Sequence, residues 1–155
     1  MIIIGYQGIG KSTLAGKSKC IDLESGNFWV DGKRAEDWYI PYCQIANHLS
    51  EQGYTVFVSS HEVVRKELQK SEERVVAICP APELRNEWVK KLWHRYLDTG
   101  LEKDHKAWAN AEDRYEANIQ EIMDDVKEYY VIGDMNYSLA GMIDAIRSIG
   151  STVYI

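Results

Sequence analysis

The sequence predicts an α/β fold in which a five-stranded parallel sheet is wrapped by helices on both faces. Three observations carry that prediction. Short β-branched and apolar runs alternate along the chain with longer segments of helical periodicity. A glycine-rich turn, Gly5-Tyr6-Gln7-Gly8-Ile9-Gly10-Lys11-Ser12-Thr13, separates the first apolar run from the first helical segment. Finally, 155 residues with 45% hydrophobic content suit one domain with a full core, and no linker, repeat or low-complexity tract divides them.

Taken in order, Ile2, Ile3 and Ile4 form a β-branched run that reads as a buried strand, and Lys11 to Lys17 continue the glycine turn as a helix. Lys19 to Leu23 is the second strand. Tyr54 to Ser59 is the third, announced by the helix-stopping Gly53. Arg74 to Cys79 is the fourth, Glu128 to Ile132 the fifth, and Thr152 to Ile155 a short strand at an edge. Helices are expected at about 36–52, 60–70, 83–98, 104–127 and 137–149. Ser59 and Glu62 form a capping box for the second of these, and Pro82 suits the first turn of the third. Alternation of this kind directs ligands to the carboxyl ends of the strands.

Composition limits the partners. A net charge of −6 and a pI near 5.2 argue against a surface built for nucleic acid or an anionic membrane. No apolar run approaches the length of a membrane span, and the N-terminus lacks the pattern of a signal peptide. A soluble, cytoplasmic protein is expected, with its oligomeric state open. Cys20, Cys43 and Cys79 are odd in number and show no Cys-x-x-Cys spacing, which points to reduced, buried thiols rather than a disulfide framework or a zinc site.

The glycine-rich turn satisfies the pattern Gly-x-x-x-x-Gly-Lys-Ser in the required order of strand, loop and helix. Backbone N–H groups from Gly8 to Thr13, with Gly5 and Ile9 completing the loop, would line a concavity that fits a polyphosphate. Lys11 would set its ammonium beside the β- and γ-phosphates. The hydroxyl of Ser12 would help hold a Mg²⁺ bridging the same oxygens. ATP and Mg²⁺ are therefore the expected ligands.

The second strand ends in Asp22-Leu23-Glu24, and alternation along an extended segment sends both carboxylates to one side, near the loop. Asp22 suits the metal or an attacking nucleophile, while Glu24 suits the acceptor or simply solvent. The acid that ends an apolar strand in many nucleotide-binding proteins is missing, since strands three and four end in Ser59-Ser60 and Cys79-Pro80. Asp22, a water held by Ser59 and Ser60, or Asp134 after strand five would have to take its place.

On its Gly5–Thr13 loop, its Asp-x-Glu after strand two and the layout of its third quarter, the chain resembles the small P-loop kinases of the nucleoside-monophosphate-kinase and shikimate-kinase type, in the compact form of phage-encoded nucleotide kinases. The resemblance implies a P-loop NTPase fold with sheet order 2-3-1-4-5, a substrate-binding insert at about 25–52 and a basic lid at about 83–106. Within the insert, Trp29 could stack a base and Arg34 grip a phosphate, although aromatics such as Trp38, Tyr39 and Tyr42 at helical spacing also suit packing. In the lid, Arg85, Lys90, Lys91 and Arg95 stand out in an acidic chain, while Leu84, Trp88 and Leu92 form the stripe that seats the helix. Arg85 and Arg95 would neutralise charge on a phosphoryl group in transit. His61 and Arg65 open the helix after strand three and would touch the acceptor. Gly133 to Asn136 occupies the place where such kinases cradle adenine.

The expected activity is transfer of a phosphoryl group from ATP to a small acceptor, most plausibly a nucleoside or deoxynucleoside monophosphate. Lys11, Asp22, Arg85 and Arg95 would carry the chemistry, with the metal on Ser12 and Asp22. A kinase of a non-nucleotide metabolite or of a polynucleotide 5′ end, and a non-catalytic ATP-binding module, are the alternatives.

Overall fold

The computed structural model describes residues 1–152. A parallel sheet of β1 (Ile2–Gly5), β2 (Cys20–Asp22), β5 (Thr55–Val58), β6 (Val75–Pro80) and β7 (Tyr129–Ile132) runs in the order β2-β5-β1-β6-β7. Its numbering departs from the expected 2-3-1-4-5 because a two-stranded hairpin, β3 (Trp29–Val30) with β4 (Lys33–Arg34), intervenes in the chain between β2 and β5. Central β1 pairs with both neighbours in register, Ile3 lying opposite Phe57 on one side and Val76 on the other. Every residue of β1 and β5 is buried. Since side chains alternate between faces, both faces of the sheet are covered there.

The cover comes from α2 (Tyr39–Glu51), α3 (Glu62–Leu68), α4 (Arg85–Thr99), α5 (Glu102–Asp124) and α6 (Leu139–Thr152). Tyr42, Cys43 and Ala46 of α2, Val64 and Leu68 of α3, and Ile143 and Ile146 of α6 join the strand residues in one core. The three cysteines are free and buried, as their spacing suggests. Among the described residues no helix is long and apolar enough to cross a membrane.

Several local expectations are corrected. The helix after the glycine loop, α1, covers only Lys11–Leu14 rather than reaching Lys17, because Gly16, Ser18 and Lys19 all take positive φ (80°, 50° and 58°). The hairpin was not foreseen. Its turn residues, Asp31 and Gly32, both have positive φ, the geometry that fits a two-residue hairpin to strand twist. Ser59 does not cap α3: His61 holds the N-cap position without a side-chain cap, and the Ser59 hydroxyl pairs with the His61 ring instead. The segment at Pro82 forms a 3₁₀ turn, Pro82–Leu84, before α4 begins. In α5, Arg114 leaves the helical region (φ −137°, ψ 34°), so the long helix expected there is two rods meeting at a kink. Of the edge strand expected at 152–155, Thr152 belongs to α6 and the rest lies outside the described residues.

Helices α4 and α5 form an antiparallel hairpin over the carboxyl end of β1, joined through Gly100 in the left-handed region. Trp88 and Leu92 on the inner stripe of α4 are fully buried. An aromatic cluster ties the two helices, with Trp93 and Trp108 ring centres 4.7 Å apart and Tyr96 and His105 at 4.9 Å.

Candidate phosphate-binding site

The loop leaving β1 is fastened from outside by aromatic side chains. The Trp88 indole donates to the carbonyl of Gln7 at 2.7 Å, and the Tyr137 hydroxyl donates to the carbonyl of Ile9 at 2.7 Å. The two rings stack with centres 5.9 Å apart, and the Lys91 ammonium lies 4.3 Å from the Trp88 ring and 3.0 Å from the Tyr137 hydroxyl. Gly8 has φ 86°, and a Cβ there would stand 2.9 Å from Leu92 Cδ2 and 3.3 Å from the Trp88 nitrogen. A side chain at Gly8 would strain the backbone and force the Leu92 side chain to shift. Gly10 has φ 104°, a conformation that favours glycine. Carbonyls turned outward to Trp88 and Tyr137 leave the opposite side of the loop for ligand.

Three clefts meet on this loop. The first, about 430 Å³, is bounded by Lys11, Ser12, Asp22, Glu24, Lys91 and Arg95, among others. With Lys103 and Asp104 it collects four cations against three carboxylates, a local positive balance in a chain of net charge −6. The second, about 320 Å³, shares Gln7, Lys11 and Ser59 with the first and extends past His61 and Arg65 to α5. The third, about 340 Å³, runs from Gly10 and Thr13 to Met135, Tyr137 and Ser138 in the β7–α6 loop.

Electrostatics single out Lys11 and Asp22. Burial pushes the Lys11 pKa down, an effect opposed by Asp22 and Glu24 and reinforced by Arg95. Burial pushes the Asp22 carboxyl up, Lys11 opposes it, and Glu24 adds both repulsion and a hydrogen bond. In this cleft, then, burial disfavours the charged form of both the Lys11 ammonium and the Asp22 carboxyl. Arg95 faces the same cleft, held through its Nε by the buried Asp104 carboxylate at 3.1 Å, which also accepts from the Thr99 hydroxyl. Lys91 is likewise pushed down, first by burial and then by Arg95.

The ends of β2 and β5, paired by the bond from the Leu23 N–H to the Phe57 carbonyl at 2.9 Å, are tied further by one hydroxyl. Tyr42, fully buried in α2, donates to the carbonyl of Leu23 at 2.6 Å and accepts from the Ser59 N–H at 2.9 Å. Leu23 lies between Asp22 and Glu24, so Tyr42 sets the carboxylate pair against the loop.

Thus Gly8, Gly10, Lys11, Ser12, Asp22, Glu24 and Arg95 converge on the first cleft. Gly5, Lys11, His61 and Arg65 share the second, while Ile9 and Thr13 reach the third. Other expected residues stand apart. Arg85 donates to the carbonyl of Glu112 at 2.7 Å, pairs with Glu116 and lines none of these clefts. Arg34 is sandwiched between Trp29 and Trp38, at 4.9 and 4.1 Å from their rings, and Trp29 is half exposed on the hairpin. Arg65 is buried and committed to Asp125 at 2.8 Å and to the carbonyl of Ser60 at 2.5 Å. His61 stacks edge-on against Trp38, and burial followed by Arg34, Arg65 and Lys11 keeps its ring neutral by lowering its pKa. Asp134 caps its own loop by accepting from the Asn136 N–H.

Sequence reasoning missed Trp88, Tyr137 and Tyr42 as the fasteners of the site, and Asn110 and Asn118 as walls of the second cleft. No local motif marks any of them; each matters through a partner far along the chain. In comparisons with known proteins, no family model matches the chain and no curated protein matches it.

Proposed function

We propose that this chain is an ATP- and Mg²⁺-dependent phosphotransferase on a P-loop NTPase fold, acting on a small acceptor for which nucleoside and deoxynucleoside monophosphates are the first class to test. One observation carries the reading: Lys11 lines two adjoining clefts, and in the first it shares the walls with Asp22, Glu24 and Arg95. A triphosphate along the loop offers the anion that Lys11 lacks. The third cleft, with Met135 and Tyr137, suits a flat base.

The donor set fits magnesium. Among the described residues no group of three or more His, Cys, Asp or Glu side chains is assembled for a metal. Magnesium is commonly held by one or two protein oxygens plus substrate phosphates, and here the Ser12 hydroxyl and the Asp22 carboxylate, which both line the first cleft, would serve. When bound, the metal would supply charge neutralisation across the phosphate oxygens. Lys11 and the loop amides would orient the γ-phosphoryl group, and Arg95 and Lys91 would neutralise charge as it moves. Trp88, Leu92 and the α4–α5 hairpin would keep water off the loop.

A second reading, a nucleotide-controlled binding module, draws on one observation: β5 ends at Val58 before Ser59-Ser60 and β6 at Pro80 before Ala81-Pro82, so no carboxylate stands directly after either. Coupled ADP release across nucleotide and metabolite acceptors, with an acceptor-free control, separates the two. The phosphotransferase reading expects acceptor-dependent ADP release that Lys11→Ala abolishes while the variant stays folded. Unchanged ATP affinity and turnover in a folded Lys11→Ala variant would refute it.

A further inference from the structure

We propose that the second cleft receives the phosphoryl acceptor and is built for an uncharged, hydroxyl-bearing molecule rather than for a phosphate dianion, an inference that rests on the phosphotransferase reading and moves its acceptor from nucleoside monophosphates to uncharged alcohols. The cleft shares Gln7, Lys11 and Ser59 with the first, so a molecule in it meets the same ammonium from a second side. Its other cation is already spent. Arg65 is buried and gives Nε to Asp125 and Nη1 to the Ser60 carbonyl, and Asp125 also accepts from Lys66 at 2.6 Å.

What remains is neutral hydrogen-bonding chemistry: the hydroxyls of Ser59 and Ser60, the amides of Gln7, Asn110 and Asn118, and the His61 ring. The two asparagines are brought together by the kink. Eight residues apart on a straight helix, they would be separated by roughly 12 Å along the axis. With Arg114 out of the helical region, the Asn118 amide instead donates to Asn110 Oδ1 at 3.0 Å. The pair then offers both N–H groups of Asn110, the second N–H of Asn118 and the Asn118 carbonyl. A hydroxyl both donates and accepts, and satisfies both kinds of group. A phosphate dianion only accepts: it can take the N–H groups but leaves the Asn118 carbonyl without a donor.

His61 supplies the remaining polarity. Its Nδ1 is engaged with Ser59 Oγ at 2.8 Å; with Nδ1–H donating there, Nε2 keeps its lone pair for the ligand. In the transfer, a bond forms between the acceptor oxygen and the γ-phosphorus of the nucleoside triphosphate. The bond from that phosphorus to the bridging oxygen breaks, its electron pair leaving with the nucleoside diphosphate, and the hydroxyl proton passes to His61 Nε2.

The test measures binding to the full chain saturated with a non-hydrolysable ATP analogue, whose phosphates occupy Lys11, by calorimetry, for thymidine, deoxyguanosine, glucose and the 5′-monophosphates of the two nucleosides. At least one uncharged compound should bind about tenfold more tightly than either monophosphate, as expected when a dianion meets no unpaired cation. Asn110→Ala and Asn118→Ala should each weaken that binding by about five- to tenfold, the effect of one lost hydrogen bond, and leave ATP affinity unchanged. Asn110 is exposed, so its variant keeps the test valid should Asn118→Ala fold poorly. A response confined to nucleosides assigns the hydroxyl to a nucleoside, and one confined to glucose assigns it to a sugar. Tighter binding of the monophosphates, no binding by any uncharged compound, or variants that bind as well as the parent overturns the proposal. Binding of an uncharged compound by a chain that does not bind ATP overturns the phosphotransferase reading alone.

Discussion

Tyr42→Phe removes a single oxygen that serves two strands. The ring keeps its edge contacts with Phe28 and Trp38, both at 5.4 Å, so the core loses no apolar volume. Lost are the bond to the Leu23 carbonyl at 2.6 Å and the bond from the Ser59 N–H at 2.9 Å. Burial holds the Tyr42 hydroxyl protonated well above the ordinary tyrosine range, so both bonds persist at any working pH. A backbone group stranded without its partner costs about 1–3 kcal/mol, which puts the pair at about 2–4 kcal/mol given partial access to water. For a chain of this size that corresponds to a Tm lower by about 5–12 °C. Turnover should fall further than stability explains, because Leu23 carries Asp22 and Glu24, and a displacement of about 1 Å in a reacting group can cost a hundredfold. Thermal unfolding by circular dichroism and ADP release below the transition are the two assays. A variant that melts within about 2 °C of the parent, at unchanged turnover, would show that this hydroxyl neither ties β2 to β5 nor sets the carboxylates.

Asp22→Asn should lower turnover by about a hundredfold or more with little change in ATP affinity, and Glu24→Gln should do less; equal activity of both, with loss only in Asp134→Asn, would move the acid to another strand. The same variant carries a stability prediction with a definite sign. Burial raises the folded-state pKa of Asp22, so the native protein holds that proton where the unfolded chain releases it, and the stabilisation is lost as pH rises through the raised value. In urea unfolding, Asp22→Asn should therefore be the more stable protein at neutral pH, and the difference should vanish below the ordinary carboxylate range near about pH 4. Arg95→Ala should cost about ten- to a hundredfold in turnover with the fold retained, whereas Arg85→Ala, whose guanidinium binds the Glu112 carbonyl, should cost much less; the reverse order would mean that α4 turns to bring Arg85 inward on substrate binding.

Local periodicity and one motif determined much on their own. The β-branched run at Ile2 to Ile4, the glycine loop, the alternation of strands and helices, and the placing of Asp22 and Glu24 on the side of the loop were all legible, because each depends on residues close together in the chain. So was the buried stripe of Trp88 and Leu92, which follows from a 3.6-residue period. The hairpin at Trp29 to Arg34 escaped because its strands are two residues long and show no alternation to read. The kink at Arg114 escaped because neither proline nor glycine marks it. Only the tertiary structure decided which cations line the first cleft: Arg95 reaches it while paired with Asp104, whereas Arg85, Arg34 and Arg65 are held elsewhere by Glu112, the Trp29–Trp38 pair and Asp125. It alone set Trp88 and Tyr137 against the loop, Tyr42 between the ends of β2 and β5, and Asn110 beside Asn118. The physical reason is the same in each case: a hydrogen bond or ion pair depends on the position of both partners, and for Tyr137 and Ile9 those partners are 128 residues apart.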